Sequence, residues 1–333
     1  MYKTLVLVFS LLLLGTYLIY RVPTLDDSGT PAPSLVPLWS IRSIDTMKYS
    51  RDLAREKGSD QNFDKIIDSQ LKAIASTGAS HVAIATPYDE EFVPYLARWV
   101  QTARKYNLKV WFRGNFSGWE GWFDHKRISR SDHLTATTKF ITAHATLFKD
   151  GDLFTPCPEC ENGGPGDPRK TGDITGHRQF LIDSTQVGKD AFAKIGKKVE
   201  VGYHSMNYDV AMAVMDKETT KKVGGIVAID HYVKSIDKMV KDIDTLKERS
   251  GGKVFLGEFG APIPDLNGNM TETQQATWIR DTLSRLVEHK SVIGLNYWVA
   301  VGGSTELWDD SMKKKEGVDI LTNYYSRLIL QGQ

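Results

Sequence analysis

The most informative segment of this sequence is Lys253-Val-Phe-Leu-Gly-Glu-Phe-Gly-Ala-Pro262. It is a short apolar run that carries a carboxylate, Glu258, and then meets Gly and Pro, as a buried strand does where it ends in a turn. A second acidic strand end, Asp152-Leu-Phe-Thr-Pro-Cys-Pro-Glu-Cys-Glu-Asn162, lies about 100 residues upstream. This separation suits two strands on opposite sides of one (β/α)8 ring, with their carboxylates facing each other across a cleft.

Short apolar runs alternate with amphipathic stretches along the rest of the chain, which is typical of repeated βα units around a parallel sheet. The predicted strands are residues 37–44, 81–86, 109–113, 152–155, 198–203, 225–230, 253–257 and 292–298. The predicted helices are residues 62–76, 92–106, 131–148, 177–195, 236–249 and 273–288. No Gly-x-Gly-x-x-Gly motif follows the first strand, so a closed barrel is favoured over an open doubly wound sheet. We therefore predict an α/β protein in which residues 37–333 form one (β/α)8 TIM barrel.

The charge balance argues against polyanionic partners. Lys and Arg number 42 and Asp and Glu number 41, which gives a formal net charge of +1. No global field therefore points to nucleic acid as a partner.

The N-terminus differs in composition from the rest of the chain. Residues 5–20 are almost entirely apolar, and a Pro, Ser, Gly and Asp stretch follows them. The run is shorter than the roughly 20 residues that cross a bilayer upright, so both an uncleaved anchor and a cleaved signal peptide remain open. We predict a signal anchor or signal peptide at residues 1–21 and a linker at 22–36. The catalytic domain is then expected in the cell envelope or outside the cell, with a membrane contact through the N-terminal segment.

The sequence contains two cysteines, Cys157 and Cys160, which flank Glu159. Two readings stay open: free thiols, or a tight disulfide that stiffens the loop carrying the acid. Two ligands alone make a poor zinc site. A thioredoxin-like motif would open a helix, which Pro156 and Pro158 disfavour here.

In a barrel of this kind the chemistry is expected at the carboxyl ends of the strands. This sequence places many polar and aromatic residues there, and the candidates are Arg113, Glu159, Glu161, His204, Asn207, His231, Tyr232, Glu258, Trp298 and Trp308. A strand-end Lys, as an aldolase needs, and a His and Asp metal cluster are both missing from this set. The sequence therefore predicts neither a metal nor a cofactor.

Three short motifs carry a resemblance to a known group of enzymes. Gly257-Glu-Phe-Gly260 resembles the nucleophile strand of the clan A glycoside hydrolases, which are retaining (β/α)8 enzymes. Asp230-His-Tyr232 and Asn296-Tyr-Trp298 resemble their sixth and eighth strands. The resemblance implies that Glu258 is the nucleophile, that Tyr232 hydrogen-bonds it, and that Trp298 forms the floor of the sugar site.

The fourth strand departs from the pattern of that group. The family's acid/base glutamate usually follows Asn, whereas here Glu159 follows Pro158. The acid is therefore open between Glu159 and Glu161. The usual amide contact to the sugar 2-hydroxyl is missing.

The residues by themselves suit the same chemistry. A retaining mechanism needs two carboxyl groups about 5 to 5.5 Å apart, one ionised and one protonated. Arg113 would keep Glu258 charged, and burial next to that charge would keep Glu159 protonated. We predict a retaining hydrolase of a β-linked oligo- or polysaccharide, in which Arg113, His204, Asn207, His231, Tyr232, Trp298 and Trp308 bind the substrate. A glycan-binding barrel without activity and a transglycosylase are the alternatives.

Overall fold

The protein is described from a computed structural model, which covers residues 35–330. The signal or anchor segment predicted at 1–21 and nearly all of the linker predicted at 22–36 lie outside the described residues. Residues 37–328 form one compact unit of the chain. Strands Leu35–Pro37 and Leu328–Leu330, at the two ends of the described chain, pair with each other. Within residues 35–330, no helix is both long enough and apolar enough to cross a membrane.

Eight strand positions alternate with helices along the chain, as predicted. The strands are β1 (Ile41–Asp45), β2 (His81–Ile84), β3 (Lys109–Phe112), β4 (Leu153–Phe154), β5 (Glu200–Val201 with Met206–Asn207), β6 (Ile226–Asp230), β7 (Lys253–Phe259) and β8 (Val292–Tyr297). Every pairing between them is parallel.

The ring closes through β5. Its first half pairs with β4 and its second half pairs with β6, so the two halves lie at opposite ends of the sheet order. Gly202 and Tyr203, the first two of the four residues between the halves, have φ values of 135° and 53°. These positive values interrupt the extended backbone, and one stretch of chain therefore joins both ends of the curled sheet.

The six predicted helices are present, and shorter ones accompany them. The helices are α1 (Ser50–Lys57), α2 (Asp64–Ser76), α3 (Val93–Lys105), α4 (Ser117–Glu120), α5 (Arg130–Ala143), α6 (Pro168–Thr171), α7 (Ile174–Lys194), α8 (Tyr208–Val214), α9 (Lys217–Lys222), α10 (Ile236–Ser250), α11 (Pro264–Asn267), α12 (Glu272–Val287) and α13 (Gly317–Tyr325). In α10, the buried residues Met239, Ile243 and Leu246 recur at helical spacing, and this face packs inward.

The inside of the barrel is filled by side chains and is not a pore. Each strand position contributes at least one of them: Ile41, Ala83, Trp111, Leu153, Tyr203, Ala228, Phe255 and the partly buried Ile226 and Ile293. The rings of Trp111 and Phe255 meet edge to face with centroids 5.1 Å apart. A rigid, close-packed plug therefore supports the strand ends that carry the candidate site.

Candidate active site

A β-bulge in β7 aims Glu258 into the barrel mouth. Phe255 lies in the barrel interior, and strict alternation would point Glu258 outward. The register with both neighbouring strands shows that β7 has an extra residue. On the β8 side, Leu295 pairs with Leu256 and Tyr297 pairs with Phe259, so two steps along β8 match three along β7. On the other side, Asp230 pairs with Glu258 directly after Ile229 pairs with Leu256. The extra residue turns the carboxylate inward.

Gly257 makes this bulge possible. A Cβ at this position would lie 2.6 Å from Asp230 Oδ1 and 2.8 Å from the Ser205 Cβ. The backbone of β7 therefore approaches its neighbours more closely than any side chain allows.

Glu258 is fixed through both carboxylate oxygens. Arg113 Nη1 donates to Oε1 at 2.5 Å, and Tyr232 Oη donates to Oε2 at 2.8 Å. The Glu258 side chain is 12% exposed, so it stays open to a ligand. The contacts predicted for Arg113 and Tyr232 are therefore present.

Arg113 serves three carboxylates at once. Besides Glu258, Nη1 donates to Asp45 Oδ2 at 2.9 Å, and Nη2 donates to Asp230 Oδ2 at 3.0 Å. Burial raises the pKa of Asp45 to about 6 against the opposing charge of Arg113. Burial also raises the pKa of Asp230 well above its usual range. The cluster thus holds one buried cation among more carboxyl groups than it can neutralise.

Removing the Arg113 charge is expected to destabilise the fold as well as the site. We expect Arg113→Met to lower the free energy of unfolding by about 3 to 5 kcal/mol, because it leaves buried carboxylates without their partner. Arg285→Met is the control, since Arg285 pairs with Asp237 at the surface and this change should cost at most about 1 kcal/mol. Denaturant unfolding of both variants checks this. Equal losses would contradict it.

A cavity of about 380 Å³ opens in front of Glu258. Its carboxyl groups belong to Asp45, Asp52, Glu120, Glu159 and Glu258, its cations to Lys48, Arg51 and Arg113, and its aromatic rings to Tyr49, Trp122 and Trp298. Indole faces stack well on the apolar faces of sugar rings. The volume of the cavity, its carboxyl groups and its aromatic rings together suit a saccharide.

Glu159 lines the same cavity. Its backbone is left-handed, with φ 42° and ψ 46°, which costs a residue with a side chain about 1 kcal/mol or more. Its N–H donates to Ser205 O at 2.7 Å, which holds that conformation. Burial, together with the negative charge of Glu258, raises the pKa of Glu159 to about 7 against the opposing Arg113 charge. Glu159 is therefore protonated in mildly acidic solution.

Glu161 points elsewhere. Its side chain is buried and accepts the backbone N–H of Asn207 at 2.8 Å, and it does not line the cavity in front of Glu258. Of the two acids that the sequence left open, the structure brings Glu159 to the cavity.

Cys157 and Cys160 form a disulfide on either side of Glu159. We expect the double variant Cys157→Ser, Cys160→Ser to lose about 2 kcal/mol of stability, since the closed loop is short. Because Glu159 would be freer to leave its left-handed conformation, kcat should fall by about 10-fold or more. Denaturant unfolding and kinetics on an aryl glycoside check both values. An unchanged kcat would show that the Ser205 contact holds the loop alone.

Four predicted substrate-binding residues lie away from this cavity. His204 is buried and contacts Thr185 Oγ1 at 2.8 Å, and burial lowers its pKa to about 4. His231 is buried against Asp242 at 2.9 Å. His204 has a partner for each ring nitrogen, because its Nδ1 lies 3.4 Å from Cys157 O, whereas His231 also lines a second cavity.

The other two are Asn207 and Trp308. Asn207 lines a separate cavity of about 430 Å³. Trp308 is 3% exposed and belongs to the core. Its backbone N–H donates to Ala300 O, and its backbone forms a β-bridge with Lys314. The position of Trp308 after the last strand predicts a contact with the sugar, but the loop folds back and buries this side chain.

Two residues of the cavity, Glu120 and Trp122, were not among the candidates from the sequence. Both lie in Gly118-Trp-Glu-Gly-Trp122, after β3, and both line the cavity, whereas Trp119 is buried and stacks on Phe180. The available signal was an acid between two tryptophans in a loop on the active face of the barrel. Among the described residues, no cluster of three or more His, Cys, Asp or Glu could hold a metal ion.

Comparisons with known proteins agree at the level of the fold. No protein-family model and no curated protein matches the sequence. A GH5_18 structure from Streptomyces cattleya in complex with Manb1-4GlcNAc matches with a TM-score of 0.65 and 14% identity, over 88% of this chain and 81% of that chain. A GH5_18 structure from Bifidobacterium longum subsp. longum, also with Manb1-4GlcNAc, matches with a TM-score of 0.62 and 14% identity, over 86% and 78%.

A third match comes from outside that subfamily. A structure of fungal β-1,4-galactanases has a TM-score of 0.60 and 13% identity, and the match covers 85% of this chain and 99% of that chain. This chain has the fold of these glycoside hydrolases. The resemblance to clan A that the strand motifs carry is thereby confirmed for the fold, which does not by itself assign an activity.

Proposed function

We propose that this protein is a retaining glycoside hydrolase acting on β-linked glycans, with Glu258 as nucleophile and Glu159 as acid and then base. One observation carries the proposal. A carboxylate held by Arg113 and Tyr232 and a second carboxyl group with a pKa of about 7 line one cavity beside Trp298. Two carboxyl groups kept in opposite protonation states are what glycosidic cleavage by double displacement needs.

The first step forms a bond between a Glu258 oxygen and the anomeric carbon while the glycosidic bond breaks. The Glu159 proton moves to the leaving oxygen in the same step. Once Glu258 is esterified, its negative charge is gone and the pKa of Glu159 falls, since that charge helps to raise it. Glu159 then takes a proton from water, and the water oxygen attacks the anomeric carbon and releases Glu258.

The cluster around Arg113 supports this cycle. Arg113 and the Tyr232 hydroxyl bind one oxygen each of the Glu258 carboxylate, and the two donors follow different strands, β3 and β6, of the same rigid ring. A nucleophile held in this way needs little reorganisation when the substrate arrives.

The test is covalent trapping with a panel of aryl β-glycosides. The protein is incubated with 4-nitrophenyl β-mannoside, β-galactoside and β-glucoside, and with the 2-deoxy-2-fluoro analogue of the sugar that reacts fastest. We expect one sugar unit to be found on Glu258 by peptide mass spectrometry, and a product with retained anomeric configuration by NMR. Binding without turnover would favour the glycan-binding barrel, and an inverted product would reject Glu258 as nucleophile.

We also propose that this activity takes place outside the cytoplasm. The disulfide between Cys157 and Cys160 is typical of oxidising compartments, and the apolar run at residues 5–20 is typical of an export or anchor segment. Fractionation of cells that express the full chain would test the location.

A further inference from the structure

Glu120 is a third glutamate in the cavity, and the proposed cycle does not use it. It ends helix α4 in the loop after β3, and Gly121 follows it in a left-handed conformation with φ 77°. The negative charge of Glu159 is one of the influences on Glu120, so the two carboxyl groups lie near each other. A carboxyl group at this place has either a structural or a substrate-binding task.

The orientation of the Glu120 carboxyl is set by a chain of buried groups. His133 contacts Asn115 Oδ1 through Nε2 at 2.9 Å, and the Phe116 N–H donates to the same oxygen at 2.8 Å. The Asn115 amide must therefore present its Nδ2 on the other side, where it donates to Glu120 Oε1 at 2.8 Å. Both His133 and Asn115 are fully buried, so this polarity cannot reverse.

This order leaves one oxygen of Glu120 for the cavity. Oε1 accepts from Asn115, which makes it the carbonyl-like oxygen, and a proton on the carboxyl group then belongs on Oε2. Burial raises the pKa of Glu120 to about 8, with a contribution from the charge of Glu159. At neutral pH the group is a carboxylic acid that can donate a hydrogen bond.

Resting on the proposed function, we propose that Glu120 is a substrate-contact residue that donates a hydrogen bond from Oε2 to a ring hydroxyl of the sugar bound beside Glu258. The ligand class is a saccharide that carries a free hydroxyl on the side of the ring facing α4. Because Oε1 accepts from Asn115, the contact needs a hydrogen-bond donor at the Oε2 position, and a carboxamide in the same place would serve equally. Replacement by Gln and replacement by Ala should therefore give different results.

The test crosses Glu120 variants with deoxy sugars. The 4-nitrophenyl β-glycoside that reacts fastest is compared with its 2-, 3-, 4- and 6-deoxy analogues, on the wild type, Glu120→Gln and Glu120→Ala. We expect Glu120→Ala to lower kcat/KM for the parent glycoside by about 5- to 10-fold, which is the value of one neutral hydrogen bond. For one deoxy analogue the same variant should change kcat/KM by less than about twofold. Glu120→Gln should stay close to the wild type throughout.

Several readouts separate this from a structural role. The proposal would be overturned if Glu120→Ala lowered kcat/KM by the same factor for the parent glycoside and for every deoxy analogue. It would also be overturned if Glu120→Gln lowered kcat/KM as much as Glu120→Ala. Glu90→Gln is the matched control, because Glu90 is an exposed acid outside the cavity and its change should leave all ratios unaltered. The same crossing is also measured as Kd in the Glu258→Gln background. Failure of hydrolysis would then reject the proposed function alone, while loss of coupling in Kd would reject the role of Glu120.

Discussion

Replacing Glu258 by Gln is expected to lower kcat for an aryl β-glycoside by about three orders of magnitude or more, because the amide cannot form the glycosyl ester. The loss should appear in kcat with little change in sugar affinity, since Gln keeps the size of the side chain and one oxygen for Arg113 or Tyr232. Steady-state kinetics and calorimetric titration of the inactive variant with the same glycoside measure the two effects separately.

The control for this variant is Glu288→Gln, at the C-terminal end of α12. It changes one charge just before the amino end of β8, away from the carboxyl ends of the strands that carry the site, and should leave kcat within about twofold of the wild type. A Glu258→Gln variant with wild-type kcat would remove the nucleophile and the double-displacement mechanism together. A protein that never hydrolyses the glycoside but binds it equally with either residue at 258 would be a binding barrel.

Replacing Glu159 by Ala should have the second largest effect, and the effect should depend on the leaving group. For a glycoside with a poor leaving group, kcat/KM should fall by about 10²- to 10⁴-fold, because protonation of the leaving oxygen is lost. For an activated aryl glycoside the loss should be smaller. Azide added at high concentration should restore turnover of the activated substrate by attacking the glycosyl enzyme directly, giving a glycosyl azide that NMR identifies.

The pH dependence gives an independent measure of Glu159. Its pKa of about 7 means that the acid form dominates below pH 7, so kcat/KM should be retained there and fall as the pH rises through 7. In Glu159→Gln this alkaline limb should disappear. Glu161→Gln is the control from the same loop, since its amide oxygen can still accept the Asn207 N–H, and its pH profile should match the wild type. The opposite pattern would make Glu161 the acid.

The wild type should also become less stable above neutral pH. Burial raises the pKa of Glu120 to about 8 and of Glu159 to about 7, both above the values in the unfolded chain. The folded state therefore binds more protons, and the stability that this gives is present at low pH and lost as the pH rises through 7 to 8. Burial lowers the pKa of His204 from 6.5 to about 4, so this histidine changes the stability only between about pH 4 and 6.5 and does not alter the loss expected between pH 7 and 8.

The strand-end acids were predictable because their signals are local. An apolar run, a carboxylate and a Gly-Ala-Pro turn are contiguous in 253–262, and the same logic found Arg113, Tyr232 and Trp298, all of which contact or line the site. His204, His231 and Trp308 also follow strand ends, but folding turns them toward protein partners instead of the cavity: Thr185 in α7, Asp242 in α10 and the core beside Ala300. Local pattern cannot tell a side chain that faces a cavity from one that faces such a partner.

The alternation of apolar runs and amphipathic helices was enough by itself to predict eight βα units with Glu258 at the end of the seventh strand, because both periodicities are properties of neighbouring residues. Closure of the ring depends on the pairing of β5 with both β4 and β6, which is not a local property. Only the tertiary structure decided which way the carboxyl groups point. The bulge at Gly257 turns Glu258 inward through pairing with β6 and β8, and the Ser205 carbonyl holds Glu159 in its left-handed conformation. The pKa of Glu120 is likewise raised by burial and by the charges of Glu159 and Glu161, against the hydrogen bond from Asn115, and burial and these charges come about only through folding.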